Sequence, residues 1–229
     1  MVTPYKPESR KSVDWIQHHR SVSPDANAQL DLASGRQLTY KQLDERVGRV
    51  ASYLLQLGIE RGERVAYLAI NSTDVTDLIF ACWRNGASAL ALNIRLTAAE
   101  LAFIVSDARP SAILVDAELS SLASELEAES DIKHWIYTDG LGGPSPFEDS
   151  VAGQSPLVCF ETNNAFGDEA LLMYSSGTTG KPKGVIISHE MMMFAGINGQ
   201  TGFNMNRSTV SLAVMPLFHI GGLIMVTNA

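Results

Sequence analysis

The sequence predicts an α/β fold: mainly parallel strands in a sheet flanked by helices. Three observations predict it. Short apolar runs at residues 65–70, 87–92, 112–115 and 134–138 lack polar alternation, as strands covered on both faces do. Amphipathic stretches of helical period lie between them. The separations suit helical crossovers between parallel strands, not hairpins.

Taken in order, the chain opens with a polar arm to about Ser12, and Trp15 and Ile16 begin a short helix. Residues 31–36 read as strand and turn. Thr39 and Gln42 then form a capping box, in which each side chain satisfies the other's backbone N–H. Leu43, Val47, Val50, Leu54 and Leu57 line one face of the helix that follows, and Gly58 stops it. After the first run comes a helix over 74–85 with Val75, Leu78, Ile79 and Cys82 inward and Gly86 as its stop. After the second, Thr97 and Glu100 repeat the capping box, and Pro110 ends that helix beyond Ala108. Leu119, Leu122 and Leu126 mark a further helix. Residues 141–167, rich in Gly, Pro, Ser and Asn, read as a loop and as the boundary between a first subdomain (1–167) and a second (168–229). The second holds strands at 169–174 and 185–187, a Met-rich helix, and a strand at 209–215.

Composition bounds the function. The 229 residues are 45% hydrophobic and 18% charged, which excludes wholesale disorder and allows a sizeable core. Seventeen basic against twenty-five acidic residues give a net charge of −8, which argues against a nucleic-acid or anionic-membrane partner. Cys82 and Cys159 form neither a disulfide framework nor a metal-ligand spacing, so a reducing, cytoplasmic setting is expected. Residues 208–229 carry no charge, but Pro216, His219, Gly221 and Gly222 interrupt them. They read as a buried strand–turn–helix rather than a stable membrane span. Because the sequence stops inside this apolar run, the second unit is expected to be the start of a larger fold. An unfinished core favours pairing with the missing portion or self-association, including a homodimer.

The chemistry is concentrated in Tyr174-Ser175-Ser176-Gly177-Thr178-Thr179-Gly180-Lys181-Pro182-Lys183-Gly184. Glycines let the backbone turn sharply and approach a ligand closely, and successive amides then converge on an anion. The hydroxyls add donors for phosphate oxygens and candidate contacts for a magnesium ion. Lys181 and Lys183 supply positive charge in an acidic chain. A Walker loop fails, because Ser175 stands where its first glycine belongs and Pro182 follows Lys181. The dinucleotide fingerprint fails for want of a third glycine. Val185, Ile186 and Ile187 continue into a strand, not a helix. A plain surface turn is the bland alternative.

This segment resembles the phosphate-loop signature of the adenylate-forming (AMP-binding) enzymes: acyl- and aryl-CoA synthetases, luciferases and peptide-synthetase adenylation domains. Ser175 replaces the more usual Thr and keeps the hydroxyl. Leu38-Thr39-Tyr40 with Leu43 resembles the family's first helix. Leu92-Asn93-Ile94-Arg95-Leu96-Thr97 with Glu100-Leu101 resembles its "LNPRLT" stretch, with Ile94 for Pro. Met215-Pro216-Leu217-Phe218-His219-Ile220-Gly221-Gly222 resembles "PLFHxxG". The chain aligns in order with the front portion of that family.

The resemblance implies an acid–CoA ligase that uses ATP, Mg2+ and coenzyme A and makes an acyl-adenylate first. It implies that Ser175, Ser176, Gly177, Thr178, Thr179, Gly180, Lys181, Lys183 and Gly184 cradle the ATP phosphates, with Thr178 or Thr179 at the magnesium ion. It places His219 at the mouth of the acid pocket, in a stretch shared with Phe218, Gly221 and Gly222; a core histidine bonded to backbone is the bland account. No Asp or Glu occurs in 208–229 to pair a substrate ammonium, so a plain fatty or aromatic carboxylic acid is expected. The family's later motifs and its C-terminal lid have no match here. The isolated chain is therefore expected to be inactive, with a non-catalytic nucleotide- or partner-binding fragment as the alternative. Met191, Met192 and Met193 read as core packing, or else as lining of an acid tunnel. His18 and His19 read as solvated, and His189 takes no catalytic role.

Overall fold

The computed structural model describes residues 10–158, 164–175 and 182–228. The elements run α1 (Trp15–Val22), β1 (Asn27–Leu30), β2 (Gln37–Thr39), α2 (Tyr40–Gln56), β3 (Arg64–Leu68), α3 (Thr73–Asn85), β4 (Ser88–Ala91), α4 (Ala98–Ala108) and β5 (Ala112–Asp116). Then come α5 (Ser120–Glu127), β6 (His134–Thr138), α6 (Pro146–Ala152), β7 (Glu169–Ser175), β8 (Lys183–Ser188), α7 (His189–Phe203) and α8 (Ile220–Asn228). β1 and β2 form a small antiparallel pair. The other six strands form one sheet in the order β6-β5-β3-β4-β7-β8. All neighbours in it are parallel except β7 and β8.

The alternation of a strand's side chains explains the two-sided core. Val65, Tyr67 and Ala69 join one buried cluster, with Leu43, Val47, Leu54, Val75 and Leu78 of α2 and α3. Ala66 and Leu68 join the other, with Leu101 and Ile104 of α4 and Leu126 of α5. This is why β3–β5 read as continuous apolar runs. β7 and β8, which follow residue 168, extend the same sheet through the β4–β7 ladder, where Ala89 faces Leu171.

Local signals are met where they were strongest. Both capping boxes form, Thr39 with Gln42 and Thr97 with Glu100. Gly58 and Gly86 take the left-handed conformation (φ +80° and +77°) that ends α2 and α3.

Five local expectations are corrected, the last of them in part. Residues 31–36 are the turn alone, its amides at Ala33 and Ser34 bonded to Asp31 Oδ1, and the strands flank it. The 141–167 segment contains α6, capped by Ser145 with Pro146 in its first turn. Residues 209–215 form no strand: Val210, Leu212 and Val214 are 94%, 60% and 71% exposed, and β-branched content alone does not supply a ladder partner. His19 is half-buried and stacks on Tyr40 with ring centroids 4.8 Å apart. Burial, then the neighbouring charges of His18 and Arg207, lowers its pKa. The methionine run divides: Met192 is buried against the core and Met191 is exposed.

An ion network ties the small hairpin to the helices. Arg36, just before β2, and Arg46 on α2 both pair with Asp74 and Asp77 of α3 and with Glu148 of α6. Asp74 and Asp77 are fully buried, and two guanidinium groups are what make burial of both carboxylates tolerable.

Candidate functional site

The antiparallel β7–β8 ladder pairs Tyr174 with Gly184 and Ser175 with Lys183. The glycine- and hydroxyl-rich stretch joins these two paired strands. Ser176, Gly177, Thr178, Thr179, Gly180 and Lys181 lie outside the described residues, and so do the phosphate and magnesium expectations placed on them. Ser175, Lys183 and Gly184 stand exposed at the end of that ladder. Gly184 has a packing reason to lack a side chain: a Cβ there would lie 3.2 Å from Leu172 Cδ1 and from Tyr174 Cζ. The Tyr174 hydroxyl donates to Asp107 on α4, so this end of the ladder is tied to a helix. Burial, reinforced by the Asp107 carboxylate, raises the Tyr174 pKa.

β7 is parallel to β3 and β4, so Ser175 lies at the carboxyl edge of the sheet, where open α/β sheets bind ligands. The other two motifs come to the same edge. Residues 92–97 follow β4 directly. Residues 215–219 are fastened to the end of β3. Tyr67 Oη donates to the Leu217 carbonyl at 2.7 Å. Asn71 Nδ2 donates to the Met215 carbonyl at 2.9 Å, and Asn71 Oδ1 accepts from the Leu217 N–H at 2.8 Å. The Arg95 guanidinium sits 5.9 Å from the centre of the Phe218 ring, joining the two motifs by a cation–π contact.

The segment then turns into α8. The His219 N–H donates to the Pro216 carbonyl at 3.0 Å, and the His219 carbonyl accepts from Gly222 and Leu223 at 3.0 and 3.1 Å. Gly222 is required by crowding: a Cβ would fall 2.3 Å from the Pro216 carbonyl oxygen. A Cβ on Gly221 would come 3.0 Å from the Met215 methyl, the end of a flexible side chain that can shift. Leu217 is buried, Phe218 half-buried and His219 exposed, so His219 is not a core histidine.

His189 opens α7, which is capped by Ser188 Oγ accepting from the Met191 N–H at 3.3 Å. The His189 ring is buried edge-on to Trp83, and burial lowers its pKa to about 4. A cleft of about 150 Å³ at the opposite, amino edge is lined by Arg61, Ser88, Asp168 and Glu169. Arg61 pairs with Asp168 there, and Arg64 with Glu169, so protein groups already match these charges. Among the described residues no three His, Cys, Asp or Glu side chains gather to hold a metal. Nor is any helix among them long and apolar enough to cross a membrane.

Sequence reasoning missed Tyr67, Asn71 and the Arg95–Phe218 contact. Asn71 left one signal, an amide directly beyond a buried strand.

Fold and sequence together define a class: a mostly parallel α/β sheet with a Gly-, Ser-, Thr- and Lys-rich segment joining β7 to β8 at its carboxyl edge. The chain belongs to the AMP-binding enzyme family, whose model matches residues 16–229. It corresponds to an N-terminal portion of an adenylate-forming enzyme. It is 30% identical over 218 residues to the long-chain-fatty-acid–CoA ligase FadD13 of Mycobacterium tuberculosis, covering 93% of this chain and 42% of that one. It is 31% identical over 224 residues to the indoleacetate–CoA ligase of Aromatoleum aromaticum, covering 92% and 41%. The chain thus spans about two fifths of these relatives' length. Among solved structures, the inhibitor-bound N-terminal domain of FACL13 from Mycobacterium tuberculosis superposes with a TM-score of 0.77 at 28% identity, covering 95% of this chain and 54% of that one. ATP-bound MatB from Rhodopseudomonas palustris gives 0.77 at 26% identity, covering 93% and 42%.

Proposed function

We propose that this chain is the front portion of an ATP-dependent ligase that joins a plain carboxylic acid to coenzyme A through an acyl-adenylate. A carboxylate attacks the ATP α-phosphate only if the repulsion between anions is screened and the leaving pyrophosphate is held. On this reading the 175–184 segment grips the β- and γ-phosphates, with the Lys183 ammonium beside them. Magnesium, when bound, supplies further positive charge, and Thr178 or Thr179 would hold it. Phe218, His219, Gly221 and Gly222 border the acid pocket. The uncharged 208–229 stretch favours a fatty or aromatic acid over an amino acid. The buried, free Cys82 suits a reducing compartment.

What supports the reading is the Ser175–Lys183 pairing, which brings the two ends of the hydroxyl-rich segment together at the carboxyl edge of the sheet, where open α/β sheets bind ligands. Similarity to a long-chain-fatty-acid–CoA ligase and to an indoleacetate–CoA ligase supports the reaction class.

On this reading the rest of the ligase completes the unit begun at residues 168–229, although β7 and β8 continue the first sheet through β4. Val185 and Ile186 on the edge strand β8, with Phe194 and Ile197 on α7, are about half exposed and form the surface for it. The isolated chain is inactive on this reading. A non-catalytic role, binding nucleotide or a partner through that surface, is the second reading. ATP–pyrophosphate exchange over a panel of acids tests both. Acid-dependent exchange by the full-length protein and none by these residues alone is the expected result. Exchange by neither, with retained ATP binding, favours the second reading.

A further inference from the structure

We propose that Asn71 and Tyr67 are positioning residues that set acid selectivity by fixing the main chain of 215–217, and with it Phe218 and His219. The proposal rests on the reading that Phe218 and His219 border the acid pocket.

Leu217 is held at both of its backbone polar groups: its N–H by Asn71 at 2.8 Å, its carbonyl by Tyr67 at 2.7 Å. Asn71 also holds the Met215 carbonyl at 2.9 Å. The two anchors differ in kind. Tyr67 is fully buried in β3, at the centre of the sheet, and is a fixed post. Asn71 is exposed beyond that strand and uses both halves of its amide, one donor and one acceptor. An aspartate could keep only the accepting half and would set a charge against the Met215 carbonyl. His219 inherits its place, since its own N–H is bonded to Pro216 within the held segment. Phe218 is steadied from the other side by Arg95. The clamp therefore decides where the apolar ring and the imidazole stand relative to the sheet's carboxyl edge. A displacement of about 1 Å in such a group changes catalytic parameters by up to roughly 10²-fold.

The test uses the full-length enzyme that carries this sequence, in ATP–pyrophosphate exchange with short, long and aromatic acids. Asn71→Asp and Tyr67→Phe are compared with the parent. Hydrogen exchange at the Leu217 amide reports whether the segment is released. The expected result is a rise of about tenfold in KM for the preferred acid, a changed order of preference among acids, and a KM for ATP within about twofold. Tyr67→Phe keeps the ring and the core, so it decides the matter if the Asn71 variant folds poorly. Equal rises in both KM values, or released Leu217 protection with unchanged acid preference, overturn the proposal. No acid-dependent exchange by the folded parent overturns the ligase reading itself, and the clamp's role falls with it.

Discussion

Asn71 and Leu217 meet at 2.8 Å although 146 residues separate them in the chain. That bond joins the end of the central strand β3 to the segment leading into α8. It makes the placement of the last helix a property of the first parallel strand.

Tyr67→Phe should therefore destabilise the chain without disturbing its core. The ring volume stays, but the Leu217 carbonyl loses its buried donor. A loss of about 1–3 kcal/mol is expected in denaturant titration. An unchanged midpoint would mean that water replaces the hydroxyl.

Arg46→Ala should cost more, about 3–5 kcal/mol, because Asp74 and Asp77 would keep buried charge with only Arg36 to answer it. Adding Asp77→Asn to that variant should recover part of the loss. Strict additivity of the two changes in a double-mutant cycle would show that the network does not couple them.

His189 gives a pH dependence whose sign follows from its burial. Its pKa falls from 6.5 to about 4 on folding, so the unfolded chain takes up the proton first as pH drops. The stability contribution is complete above about pH 6.5 and is lost as pH falls towards 4. At about 1.4 kcal/mol per pKa unit the loss is on the order of 3 kcal/mol. His189→Gln should flatten that part of the profile, measured as parent-minus-variant stability at a series of pH values.

Gly222→Ala should unsettle the start of α8. The added methyl would meet two backbone carbonyls, at 2.3 Å from Pro216 O and 2.7 Å from Met215 O, and neither can move like a side-chain tip. A cost of about 1–3 kcal/mol and faster hydrogen exchange at Leu223 are expected. Exchange at Val65, in the far core, should be slowed or hastened only as global stability dictates.

Lys183→Ala in the full-length protein should separate function from fold. Lys183 is exposed, so stability should hold within about 0.5 kcal/mol while ATP–pyrophosphate exchange falls by an order of magnitude or more. Unchanged exchange would remove this lysine from the phosphate grip.

What the sequence made legible was local or periodic. Thr39 with Gln42 and Thr97 with Glu100 announce helices because both partners of each box lie three positions apart. β3, β4 and β5 announce themselves because burial on both faces leaves an unbroken apolar interior, with polar residues only at their ends, Arg64, Ser88 and Asp116. The start signal of α6, Ser145, Pro146 and Glu148, is masked in the sequence by the surrounding Gly and Ser. The 209–215 stretch has strand-like composition but no strand, because a strand needs a neighbour, which composition cannot supply. The glycine-, hydroxyl- and lysine-rich segment at 175–184 stands out as chemistry because its residue types are concentrated in one short stretch. The Asn71 and Tyr67 anchors do not, since their partners are main-chain atoms far along the chain.

The pairing of Ser175 with Lys183 also constrains length. Side chains alternate between the two sides of a strand, so sliding β8 by one position would swap its inward and outward residues. Half-buried Ile187 would then face solvent and exposed Ile186 would face the core. A one-residue insertion or deletion between the strands is therefore tolerated only where the connecting segment absorbs it and leaves Ser175 opposite Lys183.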